Sequence, residues 1–294
     1  MTLAPLACSS SWATGGIDEA QPARYDPDMS FQEKVVWITG GGSGIGRAMA
    51  LEFAERGANV AVSGRRADRL EAVAEELRAL GKNAIAVECD VTDEAAVQNA
   101  VAVVVEHFGG LDVAVANAGF AVAGKVSKLS AEEWRRQLDV NVVGAALTAK
   151  HAAPELAKTK GRLAIIGSVS GTISVAGTGA YSASKYAVRS LAQTLALELH
   201  GDGVSVTLVQ PGFVKSEIAQ VSNEGVHNPN RKDRRPSRLM WETADAARVI
   251  VRAIHRRKRE FTFTLHGKLA AFLGTHMPGL VHFALSRSGK TYKR

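Results

Sequence analysis

The chain has 294 residues, 46% of them hydrophobic and 22% charged, with two cysteines, Cys8 and Cys89, that show neither a pairing nor a metal-ligand spacing. This excludes a disordered chain and a disulfide-stapled secreted module, suits one large globular domain or two small ones, and makes the reducing cytoplasm the default setting. The net charge of +7 is uneven: residues 228–294 hold sixteen Lys or Arg against four Asp or Glu, which points to an anionic surface or a charged substrate entrance near the C-terminus.

In chain order, residues 1–30 lack the basic start and the long apolar run of a signal peptide and read as a flexible lead-in. No uninterrupted apolar run is long enough to span a bilayer. From residue 34, β-branched runs predict strands at 35–39, 59–63, 83–89, 111–116, 162–167 and 204–210. Between them, helical periodicity appears near 44–56, 67–80, 93–108, 131–158 and 181–200. The polar, basic interval 222–238 is broken by Pro229 and Pro236 and reads as a mobile loop, before a helix at 242–258 and a last strand in "REFTFTL". Such alternation implies right-handed crossovers and a doubly wound parallel α/β sheet with ligands at the carboxyl ends of its strands. The expected division is a lead-in to residue 30, a catalytic domain over 31–265 with a substrate loop at 213–240, and a basic amphipathic extension over 266–294.

The first strand runs into "TGGGSGIG", so Gly40, Ser43, Gly44, Ile45 and Gly46 open a helix directly after it. Glycines there let the backbone approach a pyrophosphate, and the helix start offers unpaired N–H groups to the anion. A flexible turn without a ligand is the plain alternative, and the strand and helix context weighs against it. After the second strand, "VSGRR" sets Gly64 where an acidic side chain would bind both ribose hydroxyls of NAD. Arg65 and Arg66 follow, and their guanidinium groups favour NADP(H) over NAD(H), although two solvated arginines at a helix start would look the same. The third strand leads into "CDVTD", where Asp90, beside Val91, suits the adenine amino group while Thr92 or Asp93 suits a helix cap. The fourth leads into Asn117, Ala118 and Gly119, small enough to pass close to a cofactor or to form an ordinary turn.

Tyr181 and Lys185 in "AYSASKYAVRS" lie one helical turn apart. Spacing alone fits a solvated helix face as well as an acid tuned by a cation. The motifs "TGGGSGIG", "NAG", "GSVSG" ahead of "YSASK", and "PG" after the sixth strand, taken in this order and spacing, resemble the short-chain dehydrogenase/reductase family over residues 34–260, in its NADP-preferring form with a C-terminal extension.

The resemblance implies a Rossmann-like domain that transfers hydride between a nicotinamide and a carbonyl or secondary alcohol. It assigns Tyr181 as acid/base and Ser168 as the holder of the substrate oxygen, with Ser170 a bystander. Asn141 keeps a relay water near the lysine. Lys185 lowers the Tyr181 pKa and grips ribose hydroxyls, as a neighbouring ammonium would favour the phenolate. Pro211, Gly212 and Val214 form the turn beside nicotinamide, and Ser216 stands where the family more often has threonine for the carboxamide. A homodimer or homotetramer through the helices at 131–158 and 181–200 is implied as well.

A dinucleotide-binding sensor without turnover is the rival, and the intact Ser168, Tyr181 and Lys185 argue against it. Phe213, Val214, Ile218, Val221, Leu239, Met240 and Trp241 favour a fairly apolar substrate, such as a lipid, steroid-like or aromatic ketone. The eight histidines lack metal spacing, and no stacking platform or groove-reading motif suggests nucleic acid. The tail departs from the family's usual short ending. Its two apolar runs around Pro278 and Gly279 suit packing on the body, a pocket cover, a dimer contact or peripheral contact with a membrane.

Overall fold

Val35–Thr39 form strand β1, and alternation along the strand decides which layer each side chain joins. Val36 and Ile38 enter one apolar layer, and Val35 and Trp37 the other. The computed structural model describes residues 29–233 and 235–287. Within them six further strands follow: β2 Asn59–Gly64, β3 Ala84–Glu88, β4 Val113–Ala116, β5 Arg162–Ile166, β6 Ser205–Gln210 and β7 Glu260–Thr262. They pair in parallel throughout, in the order β3-β2-β1-β4-β5-β6-β7. The chain winds outward in both directions from the β1–β4 pair, which opens a crevice at the carboxyl ends of these strands.

The helices are α1 Gly44–Glu55, α2 Ala67–Ala79, α3 Glu94–Phe108, α4 Ala131–Leu138, α5 Gly144–Thr159, α6 Gly179–Glu198, α7 Thr243–His255, α8 Leu265–His276 and α9 Pro278–Arg287. Phe53, Leu77 and Ile250 bring α1, α2 and α7 onto one sheet face. Val104, Leu156 and Val188 bring α3, α5 and α6 onto the other. Both faces being covered explains why the strands read as nearly unbroken apolar runs. Local signals fix the ends: Asp93 accepts from Ala95 N at 2.9 Å and Ala96 N at 3.3 Å to cap α3, and Gly109 closes it at φ 84°. Ser130 and Glu133 form a reciprocal capping box on α4.

Four expectations are corrected. The helix expected over 131–158 is two helices separated by a π-helical turn, Asp139–Val143. The last strand is only Glu260–Thr262, and after Phe263 and the capping Thr264 the chain enters α8 at Leu265. Met29, placed within the lead-in, is 3% exposed and belongs to the core beside Phe31, which meets Phe53 edge-on at 4.9 Å; the remainder of the lead-in, residues 1–28, lies outside the described residues. The interval 222–238, read as loose, is tied to the body: Asn223 Nδ2 donates to Ala123 O at 3.1 Å and Arg136 donates to Asn223 O at 2.9 Å.

Candidate active site

The turn after β1 is built for close approach. Gly40 has φ 65°, and a Cβ added at Gly46 would lie 2.3 Å from Gly40 O and 2.6 Å from Asn117 Nδ2. No side chain larger than hydrogen fits there. Thr39, a buried residue that the sequence reading passed over, organises the turn: its Oγ1 accepts from Asn117 N at 3.0 Å and Ala118 N at 3.2 Å. Asn117 Nδ2 in turn donates to Thr39 O and Gly40 O at 2.9 and 3.1 Å. Asn117 and Ala118 therefore brace the glycine turn, and Gly119 faces Asn141. Ser43 stands at the start of α1 without capping it, and the first turn of α1 has no acidic residue. These N–H groups and their dipole are thus available to an anion, which fits the diphosphate of a dinucleotide. Ile45 packs against the core, while Gly44 faces Ser216 across the crevice.

At the end of β2, Gly64 lies against the Gly40 turn. Arg65 is exposed and makes no hydrogen bond or ion pair among the described residues. Arg66 differs: its Nη2 donates to Ser43 Oγ at 3.1 Å and to Glu217 Oε2 at 3.0 Å. Burial alone would raise the Glu217 carboxyl, but the Arg66 guanidinium holds it below its ordinary value. Asp90 Oδ1 accepts from Thr92 N and Oγ1 at 3.0 and 2.8 Å, so that oxygen serves a local turn. Asp93 is the helix cap, and Val91 is buried against Gly144.

Tyr181, Lys185, Ser168 and Asn141 converge at the carboxyl ends of β4 and β5. The Ser168 hydroxyl lies near enough to the Tyr181 phenol to favour its ionised form, and its Oγ accepts from Ser170 N at 3.1 Å. Lys185 Nζ, 5.7 Å from the Tyr181 ring centroid, donates to Ile166 O at 2.8 Å. Burial brings Lys185 down to about 8.

Burial also pushes the Tyr181 phenol above its ordinary value; the Ser168 hydroxyl and the Arg235 charge pull the other way. In the protein alone desolvation dominates this shift and the Arg235 charge opposes it, while the Lys185 ammonium is engaged by Ile166 O. The Asn141 carboxamide is also committed. It donates to Phe120 O and Ser184 Oγ, both at 3.0 Å, and accepts from Phe120 N at 3.1 Å. Both its amide hydrogens are thus used in holding the chain, not in holding a relay water. It sits in the π-helical turn Asp139–Val143, a local geometry found often at functional sites.

The segment after β6 closes the site. Pro211 O accepts from Val169 N at 3.1 Å, and Gly212 packs on Thr264 and His266 at the start of α8. Arg235, also absent from the sequence reading, donates to Val214 O at 3.0 Å, Ser216 O at 3.1 Å and Asp233 Oδ2 at 2.7 Å. It clamps the two residues expected beside nicotinamide, Val214 and Ser216. A cavity of about 340 Å³ lies under this segment, lined by Gly44, Ser216, Glu217, Gln220, Met240 and Thr243. It adjoins the glycine turn, whereas Tyr181 is not among its lining residues. Among the described residues no cluster of His, Cys, Asp or Glu could hold a metal ion.

The short chain dehydrogenase family model matches residues 34–227. An uncharacterized oxidoreductase of Myxococcus xanthus (strain DK1622) is 36% identical over 237 residues, 80% of this chain and 88% of its own. A short-chain dehydrogenase/reductase from Burkholderia phymatum in complex with NAD superposes with a TM-score of 0.75 at 30% identity, covering 83% of this chain and 93% of its own. A short-chain dehydrogenase from Burkholderia cenocepacia J2315 in complex with NADP gives 0.68 at 32% identity, covering 79% and 96%. On these matches the chain belongs to the short-chain dehydrogenase/reductase family, nicotinamide-dependent oxidoreductases acting between alcohols and carbonyls.

Proposed function

We propose that this enzyme uses NADP(H) in preference to NAD(H) and acts on the carbonyl or secondary alcohol of a fairly apolar compound, with Ser168, Tyr181 and Lys185 as its catalytic residues. The observation that carries the reading is the convergence of the Tyr181 phenol, the neighbouring Ser168 hydroxyl and the buried Lys185 ammonium, 5.7 Å from the Tyr181 ring centroid, at the carboxyl end of β5. When bound, the cofactor supplies or accepts the hydride. Tyr181 gives its proton to the substrate oxygen as negative charge gathers there, and takes it back in the reverse direction. Ser168 holds that oxygen within reach of the phenol. Lys185 uses one of its three donors on Ile166 O, which leaves two for ribose hydroxyls or for returning the proton. Asn141 positions this group through Phe120 and Ser184.

NADP preference rests on Arg65. It is a guanidinium without a partner among the described residues, beside a strand end where glycine replaces the acid that would repel a phosphate. Apolar substrate preference rests on Phe213, Val214, Ile218, Val221, Leu239, Met240 and Trp241 in the covering segment. Fluorescence titration with NADPH and NADH, followed by a panel of ketones, tests both: NADPH should bind more tightly, and bulky apolar ketones should turn over faster. A stronger response to NADH, or to small polar carbonyls, overturns the corresponding assignment. Exposed Val143, Tyr186 and Leu197 on or beside α5 and α6 support a homo-oligomer through these helices, which light scattering checks by mass.

A further inference from the structure

A surface helix ordinarily turns its apolar stripe inward and its polar face to water. In α8 the order is reversed. Leu265, Leu269 and Phe272, at helical spacing on one side, are 67%, 58% and 56% exposed. The side against the body is made of small residues: Gly267 is buried, and a Cβ added at Gly274 would stand 2.3 Å from Thr172 O. Helix α9 has no buried residue at all, and Leu280, Phe283 and Leu285 are exposed. Together with Met277 these side chains extend one apolar surface across both helices, a feature that in a soluble protein marks a contact site.

Charge identifies what it contacts. From residue 261 to the end of the chain there is no Asp or Glu, while Lys268, Arg287, Lys290, Lys293 and Arg294 are basic; the last three lie outside the described residues. The Arg287 guanidinium lies 4.2 Å from the Phe283 ring centroid, so a cation and an apolar anchor share one spot. A second copy is a poor occupant, because a two-fold contact would press this acid-free basic surface against itself. Phosphate headgroups above acyl chains satisfy both the charge and the apolar area. Among the described residues no single helix is long and apolar enough to cross a membrane, and α8 and α9 are bent from each other by 114°. That bend suits helices lying along an interface.

We propose that α8 and α9 form an interfacial anchor that docks the enzyme on an anionic lipid bilayer. The start of α8 touches Gly212, and its Gly274 turn touches Thr172. The docked face is the opposite side of the same helix, so a bound bilayer would lie over a helix whose other side rests beside the active-site segment.

Flotation of the full chain with phosphatidylcholine vesicles, with and without phosphatidylglycerol, tests the proposal independently of turnover. The protein should float with the anionic vesicles, bind the neutral ones about tenfold or more weakly, and be released by high salt. Leu280→Glu with Phe283→Glu should reduce binding at least about tenfold while the melting temperature and NADPH binding stay unchanged, since α9 contributes nothing to the core. Phe283→Ser alone provides a milder arm and should give a smaller loss. Absence of the wild-type protein from the anionic vesicle fraction, or undiminished flotation of the double variant, overturns the proposal. So does a wild-type dimer that never floats and that the double variant splits into monomers, since a second copy would then own the surface.

Discussion

Replacing Arg65 by alanine isolates the choice between the two nicotinamide cofactors, which differ here by a single phosphate. Arg65 has no hydrogen bond or ion pair to lose among the described residues, so Arg65→Ala removes a cation without breaking part of the fold. A charge-assisted hydrogen bond contributes about 1.5–3 kcal/mol. Arg65 is exposed, so solvent and salt place the effect at the lower end, about 1.5–2 kcal/mol, or roughly ten- to thirtyfold in Kd. Fluorescence titration should show that loss for NADPH and none for NADH, with the gap narrowing as salt is added. Arg66→Ala should discriminate less, because that guanidinium is held by Ser43 and Glu217. Equal weakening of both cofactors by Arg65→Ala, or no weakening of NADPH, would refute the assignment.

Tyr181→Phe should lower kcat by about 10²–10⁴-fold while NADPH affinity is retained, measured by steady-state assay and titration on one preparation. Lys185→Met should abolish turnover yet stabilise the fold at pH 7. Burial lowers this ammonium from 10.5 to about 8, so the wild type carries a penalty of about 3 kcal/mol below pH 8, offset by about 1 kcal/mol for the bond to Ile166 O. Because the unfolded chain binds the extra proton between the two values, wild-type stability rises across that window and the advantage of the methionine variant shrinks. Denaturation at pH 7 and above pH 10 checks it, and a pH-independent difference would contradict it. Gly46→Ala should weaken both cofactors severely and lower the melting temperature, since its Cβ would meet Gly40 O at 2.3 Å, a backbone atom that cannot swing aside.

The strands were legible because both faces of the sheet are buried, which leaves runs such as "VVWIT" and "NVAVS" with little polar interruption. The glycine turn was legible because steric need at Gly40 and Gly46 admits no other residue. Tyr181, Lys185 and Ser168 were readable only through the family resemblance carried by the motifs together, since the spacing of the tyrosine and lysine alone fits a solvated helix face equally well. Periodicity did not reveal the π-helical turn, since the five residues it spans are too few to set a period of their own. Arg235 was missed because its partners Val214 and Ser216 offer backbone carbonyls, which carry no side-chain signature. The direction of the Tyr181 shift was also beyond sequence, because it depends on how much water the folded surroundings exclude.

The turn Asp139–Val143 separates α4 from α5 by an offset that an uninterrupted helix would not have. Its two sides serve different neighbours: α4 reaches toward Asn223 through Glu133 and Arg136, and α5 packs on the sheet beside α3. The break works as a joint between a part that ties down the interval after β6 and a part that keeps the scaffold rigid. Evolution can therefore reshape the mouth of the enzyme without retuning its frame. Deleting one residue from the joint would let α4 and α5 run on as a single regular helix and merge the two tasks into one stiff rod.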